Sequence, residues 1–129
     1  MKQRIKLGVV CLTRNTFDHP AAGELYRGIL KDLSALEQID LCALETPIME
    51  PEEAIAAGRR FAAEQVDGIA AISGTFHLGH LLLEIRKYAD KPLLLWGLPE
   101  LPYNGGKIRL NSVCGVNLNA ESCACKPGA

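Results

Sequence analysis

No charge of one sign predominates in this chain: 14 Lys and Arg stand against 15 Asp and Glu, for a formal net charge of -1. The one local excess is the short basic head Met1–Lys6, so no broad electrostatic surface draws in nucleic acid. Long apolar runs are also lacking. None reaches the roughly 18 residues that a membrane helix needs, and the N-terminus has no apolar leader followed by a small-residue cleavage site. A cytoplasmic chain that binds neither nucleic acid nor membrane is expected.

Catalytic signatures are missing as well. There is no G-x-x-x-x-G-K-[ST], no G-x-G-x-x-G after the first apolar run and no G-x-S-x-G elbow. Nucleotide hydrolysis and standard hydride transfer are thereby disfavoured, and no spacing specifies Cys-His or Ser-His nucleophilic chemistry. Five cysteines are no basis for a disulfide scaffold. Cys11 and Cys42 fall inside apolar runs and read as packed thiols, Cys114 lies in a late loop, and Cys123 and Cys125 sit in a glycine- and proline-containing tail where a redox role is not specified.

What is present is a folded, average composition, 48% apolar and 22% charged over 129 residues. That length suits one core burying about two thirds of the unfolded surface. Four short apolar runs recur, "IKLGVVCL" at Ile5, "IDLCAL" at Ile39, "DGIAAIS" at Asp67 and "PLLLWG" at Pro92. Their unbroken apolarity marks strands covered on both faces, as in a parallel sheet.

Helical spacing fills the gaps. From about Pro20 to Leu36, the residues Leu25, Ile29, Leu33 and Leu36 form one expected stripe. "EPEEAIAAGRRFAAEQ" opens with Pro51, Glu52 and Glu53 at the positive end of a helix dipole, with Ile55, Phe61 and Ala62 expected on its apolar side. A third helix is expected from about Leu78 to Tyr88, burying Leu81, Leu82, Ile85 and Tyr88, with Asp90 and Pro92 stopping it. This alternation predicts an α/β fold: a doubly wound, Rossmann-like parallel sheet of at least four strands in the order 2-1-3-4, with helices on both faces.

In such a sheet, ligands bind beyond the carboxyl ends of the strands, near the point where strand order reverses. After the first strand comes "TRNTFDHP", in which Arg14 offers a forked donor and Asn15 a donor and an acceptor to a polyhydroxylated or anionic ligand. The same residues also fit a plain turn with Asp18 capping the helix. Glu45 follows the second strand. Ser73, Gly74 and Thr75 then make a tight turn beside which His77 can touch a ligand. His77, His80 and Glu84 share one helix face at i, i+3 and i+7, but that is not the zincin spacing, and a polar face explains His80 and Glu84 without a metal. Trp96 ends the fourth strand, either as a stacking face for a sugar or as core.

Taken together, "TRNTFDHPAAGELYRG", "SGTFHLGH", "LLLWGLPE" and "GGKIRLNSVCGVNLNA" resemble the N-terminal domain of the L-fucose and L-arabinose isomerase family, over roughly residues 5 to 120. The resemblance implies a cytoplasmic, homo-oligomeric ketol isomerase that uses Mn2+ or another divalent cation and acts on a small-molecule sugar. It places the metal ligands in a later domain, so neither a catalytic residue nor a metal site is expected in this chain. It also implies substrate contacts by Arg14, Asn15, Phe76 and His77 and, more weakly, by Trp96 and Asn111. Residues 1–120 then read as a sugar-isomerase-like α/β domain and 121–129, "ESCACKPGA", as an atypical tail, with the domain cut short at its C-terminus.

Aldose isomerisation needs a base to move a proton between adjacent carbons and a cation or acid to stabilise the enediolate oxygen. No clustered carboxylates here suit that cation. The expectation is a substrate-contacting and oligomerisation domain without activity by itself; the alternative is a free-standing module that binds a sugar or phosphate in the same cleft.

Overall fold

The computed structural model describes residues 4–77, 80–102, 108–112 and 116. In chain order these form β1 (Ile5–Leu12), α1 (His19–Ser34), β2 (Ile39–Ala43), α2 (Pro51–Ala63), β3 (Gly68–Ser73), α3 (His80–Tyr88) and β4 (Leu93–Gly97). The four strands make one all-parallel sheet in the order β2-β1-β3-β4, as the alternation of runs predicts. Most of "GGKIRLNS" that is described, Ile108 to Leu110, is neither helix nor strand. Leu78, Gly79, Cys114, Cys123, Cys125 and the expected boundary at 120/121 lie outside the described residues.

Successive side chains of a strand point to opposite faces, and the sheet divides its core accordingly. On one face Val10, Leu12, Cys42, Ile69 and Ala71 pack with Ala54, Ala57 and Phe61 of α2 and Leu81, Leu82 and Ile85 of α3. On the other, Val9, Cys11, Ala70 and Ile72 pack with Ala22 and Tyr26 of α1, joined by Leu98 and Leu110. Two close approaches set these layers. A Cβ on Gly8 would meet the Phe61 ring at 2.9 Å, so the ring lies against bare β1 backbone. A Cβ on Gly58 would stand 2.8 Å from the Ile85 carbonyl oxygen, so α2 and α3 touch backbone to side.

Two of the helices start for a local reason. Asp18 caps α1, its carboxylate accepting from the Ala21 amide at 3.2 Å. Glu50 and Glu53 form a reciprocal capping box on α2, with Pro51 in the first turn.

The expected helix stripes need correction. In α1 the buried line runs through Ala22, Gly23 and Tyr26, with Ile29, Leu30 and Leu33 beside it, whereas Leu25 and Leu36 are 36% and 50% exposed. The helix is rotated toward Tyr26 because its hydroxyl reaches the carbonyls of Val9, at 3.2 Å, and of Leu44. Ala62 of α2 is exposed, since the helix buries Ala54, Ala57, Gly58 and Phe61. Tyr88 is 40% exposed and lies under the Arg59 guanidinium, 5.2 Å from its ring centre.

Candidate functional site

From β1 the chain moves outward to β2 on one side, while β3 pairs on the other, so strand order reverses between β1 and β3. The loops leaving these two strands are Thr13–Asp18 and Gly74–His77, and they are tied together. The Arg14 amide donates to Thr75 Oγ1 at 2.9 Å, and that hydroxyl donates to the Phe76 carbonyl at 2.8 Å. The rings of Phe17 and Phe76 meet with centroids 6.0 Å apart at 53°. Gly74 allows the approach: a Cβ there would fall 2.7 Å from Cys11 Sγ and 3.0 Å from Thr13 Cγ2.

Above this junction, Arg14 is half-buried and Asn15 and Thr16 are exposed. The Arg14 guanidinium has no hydrogen-bond or ion-pair partner among the described residues; only its backbone is engaged, the amide with Thr75 Oγ1 and the carbonyl accepting from the Phe17 amide at 3.2 Å. An unpaired guanidinium and an amide side chain on a loop that also carries one ring of an aromatic pair suit a ligand with both oxygen acceptors and apolar C–H faces.

Beneath the junction the polar groups are turned inward. Ser73, Thr75, His77 and Ser112 are all buried, His77 completely. His77 Nδ1 lies 3.0 Å from the Thr75 carbonyl and 3.3 Å from Ser73 Oγ. Ser73 Oγ is also within donating distance of the Ser112 carbonyl, at 3.1 Å, while Ser112 Oγ donates to the Ser73 carbonyl and accepts from the Leu98 amide at 2.8 Å. This reciprocal pair fastens the end of β3 to the segment after β4. Burial also pushes the Cys11 thiol up to about 12, the Gly74 amide opposing it; it is a packed thiol.

The segment after β4 is held from two further sides. Glu100 accepts from the amides of Leu101, Arg109, Leu110 and Asn111 at 2.9 to 3.3 Å. Partial desolvation would raise this carboxyl, but the four amides outweigh it and hold the group below its ordinary value. Arg109 donates from Nε and Nη2 to Asp18 Oδ2 at 2.9 and 2.8 Å, and the Asp18 amide donates to the Arg109 carbonyl at 2.8 Å. The Arg109 hydrogen bonds lead the Ala21 amide in keeping Asp18 below the ordinary carboxylate range.

Of the residues expected to contact substrate, Arg14, Asn15 and Phe76 lie on the two adjoining loops after β1 and β3. His77 is buried. Trp96 is half-buried on the α1 face of the sheet, and Asn111 sits at a left-handed φ of 53° with its amide on Glu100. His80 is exposed, and Glu84 pairs with Lys87 at 2.9 Å. Sequence reasoning missed Phe17, whose signal was an aromatic inside an otherwise polar loop. It also missed Glu100 and Arg109, whose partners in space carry no sequence signal: Asp18 and Arg109 are 91 residues apart.

Two clefts lie elsewhere. One of about 460 Å³ borders β2 and α2 and is lined by Ala43, Glu45, Glu53 and Arg60 among others. Another of about 430 Å³ separates α1 from the loop after β2, between Arg27 and Met49. Neither is lined by Arg14, Asn15, Phe76 or His77. Among the described residues no three of His, Cys, Asp and Glu gather to hold a metal ion, and Arg14, Asn15, Phe17 and Phe76 supply no carboxylate or imidazole for a divalent cation. No described helix is long and apolar enough to cross a membrane. No protein-family model, curated protein or solved structure matches this chain.

Proposed function

We propose that this chain is a sugar-binding domain of the kind that contacts substrate and mediates assembly in L-fucose and L-arabinose isomerase-like proteins. It is read as a cytoplasmic homo-oligomer, with no part for nucleic acid or membrane. The observation that carries the reading is the Arg14 guanidinium, without a partner among the described residues, on the loop at the strand-order reversal whose Phe17 ring meets Phe76.

Each group has a role in that reading. Arg14 and Asn15 hydrogen bond to ligand hydroxyls or to an anionic group, and the aromatic pair covers the apolar face of a sugar ring. His77, through Thr75 and Ser73, stiffens the loop that carries Phe76. Trp96 and Asn111 support the same end of the sheet from behind. No proton-transfer step is assigned to these residues, because nothing beside Arg14 supplies a base and a cation together. The divalent cation of aldose–ketose isomerisation belongs, in this reading, to residues of another domain.

Thermal unfolding with L-fucose, L-arabinose and inorganic phosphate tests the proposal. A ligand at a hundredfold over its Kd adds about 2.7 kcal/mol of stability. Stabilisation by a sugar, lost in Arg14→Ala, is the expected result. Stabilisation by phosphate alone favours a free-standing anion-binding module, and no response to any of the three contradicts the reading.

A further inference from the structure

β2 is an edge strand, and its open side has a definite hydrogen-bonding character. Gln38 accepts from the Ile5 amide at 2.8 Å and the Leu44 amide donates to Val9 at 3.0 Å, so the even-numbered residues turn their backbone groups toward β1. Leu41 and Ala43 therefore turn theirs outward. The Ile39 amide, also outward, is already taken by the Leu36 carbonyl at 3.3 Å. No described residue hydrogen bonds to the outward groups of Leu41 and Ala43. Neither Lys nor Pro occurs in Ile39–Ala43 to discourage edge pairing. Clefts flank the edge on both faces, the one bordered by α2 and another of about 410 Å³ bordered by α1.

We propose that this edge pairs antiparallel with β2 of a second copy of the chain, about a two-fold axis passing through Cys42; the proposal rests on the oligomeric part of the reading above and names its interface. The register follows from the free groups. Setting Leu41 opposite Ala43 of the other copy, twice, engages the outward amides and carbonyls of Leu41 and Ala43 on each strand and does not require the Ile39 amide.

Charge selects the same register. Asp40 then lies opposite Leu44 of the other copy, on the α2 side of the sheet. Leu44 and Arg60 line one cleft there. Asp40 makes no ion pair among the described residues, since the nearby Lys6 is bonded to Glu64 at 2.8 Å, and Arg60 makes none either. The two-fold thus brings an unpaired acid to an unpaired base at both ends of the junction, which makes the edge complementary to itself.

The register also makes a chemical prediction. Cys42 faces its own counterpart in a non-hydrogen-bonded pair, where Cα atoms stand about 4.5 Å apart, within reach of a disulfide. In the full chain with Cys114, Cys123 and Cys125 changed to Ser, diamide should take two electrons and two protons from the paired Cys42 thiols and leave one S–S bond. A covalent dimer is expected, and Cys42→Ser should abolish it.

Sedimentation equilibrium supplies the second arm. The wild-type chain should be a dimer. Ala43→Pro, which removes an outward N–H and leaves the β1 ladder intact, should be a monomer. Arg60→Asp should raise the dimer dissociation constant about tenfold, and adding Asp40→Arg should restore it. These exposed charge variants keep the test decisive if Ala43→Pro does not fold. A wild-type monomer, a dimer indifferent to both Ala43→Pro and the charge reversal, or a dimer without the Cys42 crosslink would overturn the proposal. Sugar binding, measured on the same variants, is independent of these outcomes because Arg14 lies on the loop after β1.

Discussion

The loops that leave β1 and β3 look alike in sequence and behave oppositely in the fold. Both are short, polar and carry a basic ring or guanidinium next to an aromatic. After β3, Ser73, Thr75 and His77 are buried and hydrogen-bonded to one another and to the segment after β4. After β1, Arg14 is half-buried and Asn15 and Thr16 are exposed, and the Arg14 side chain has no partner among the described residues. A polar residue at the carboxyl end of a strand is thus a ligand group only where the rest of the chain has not already satisfied it. The polar groups of the β3 loop are satisfied within the fold, and the β1 loop keeps a guanidinium without a partner among the described residues.

The sharpest way to break this division is to disturb the scaffold loop at its tightest point. Gly74→Val would drive a side chain into Cys11, Thr13 and Ala22 and should cost about 3 kcal/mol in urea unfolding. Ser112→Ala comes next. It strands the buried Leu98 amide and the Ser73 carbonyl, so a loss of about 2 kcal/mol is expected by the same measurement.

A smaller effect appears with acid. Asp18 and Glu100 are both held below their ordinary values of 3.8 and 4.5, so the stability they contribute is present above those values. It disappears as the pH falls through their lowered folded-state values. Amide exchange at Arg109, Leu110 and Asn111 should therefore accelerate in that acid range, and Glu100→Gln should accelerate it already at neutral pH. The smallest change in stability belongs to the outward loop: Arg14→Ala should stay within about 0.5 kcal/mol of wild type, since nothing in the fold leans on that guanidinium.

The sequence announced the architecture more readily than the site. Unbroken apolar runs such as "GVVCL" and "IAAIS" mark buried parallel strands, and their alternation with helical spacing implies the order seen. Pattern alone did not place the α1 stripe, because the rotation of that helix is set by Tyr26 reaching two carbonyls across the sheet. The placement of Arg14, Asn15 and Phe76 on the loops after β1 and β3 was legible from the strand pattern. The engagement of His77 was not, since its environment includes Ser73, itself bonded to Ser112, 39 residues further on. The same holds for the clasp of Asp18 by Arg109 across 91 residues. Local sequence reports which groups can bind; long-range packing decides which are left to do so.

The most direct test of that division is a two-dimensional NMR titration of the chain with L-fucose or L-arabinose, reading backbone amides together with the Arg14 Nε–H. The account predicts shifts concentrated at Arg14, Asn15, Phe17 and Phe76, with the Arg14 side chain among the largest and His77 moving little. Shifts centred on the 460 Å³ cleft beside Glu45 and Arg60, with Arg14 silent, would contradict it.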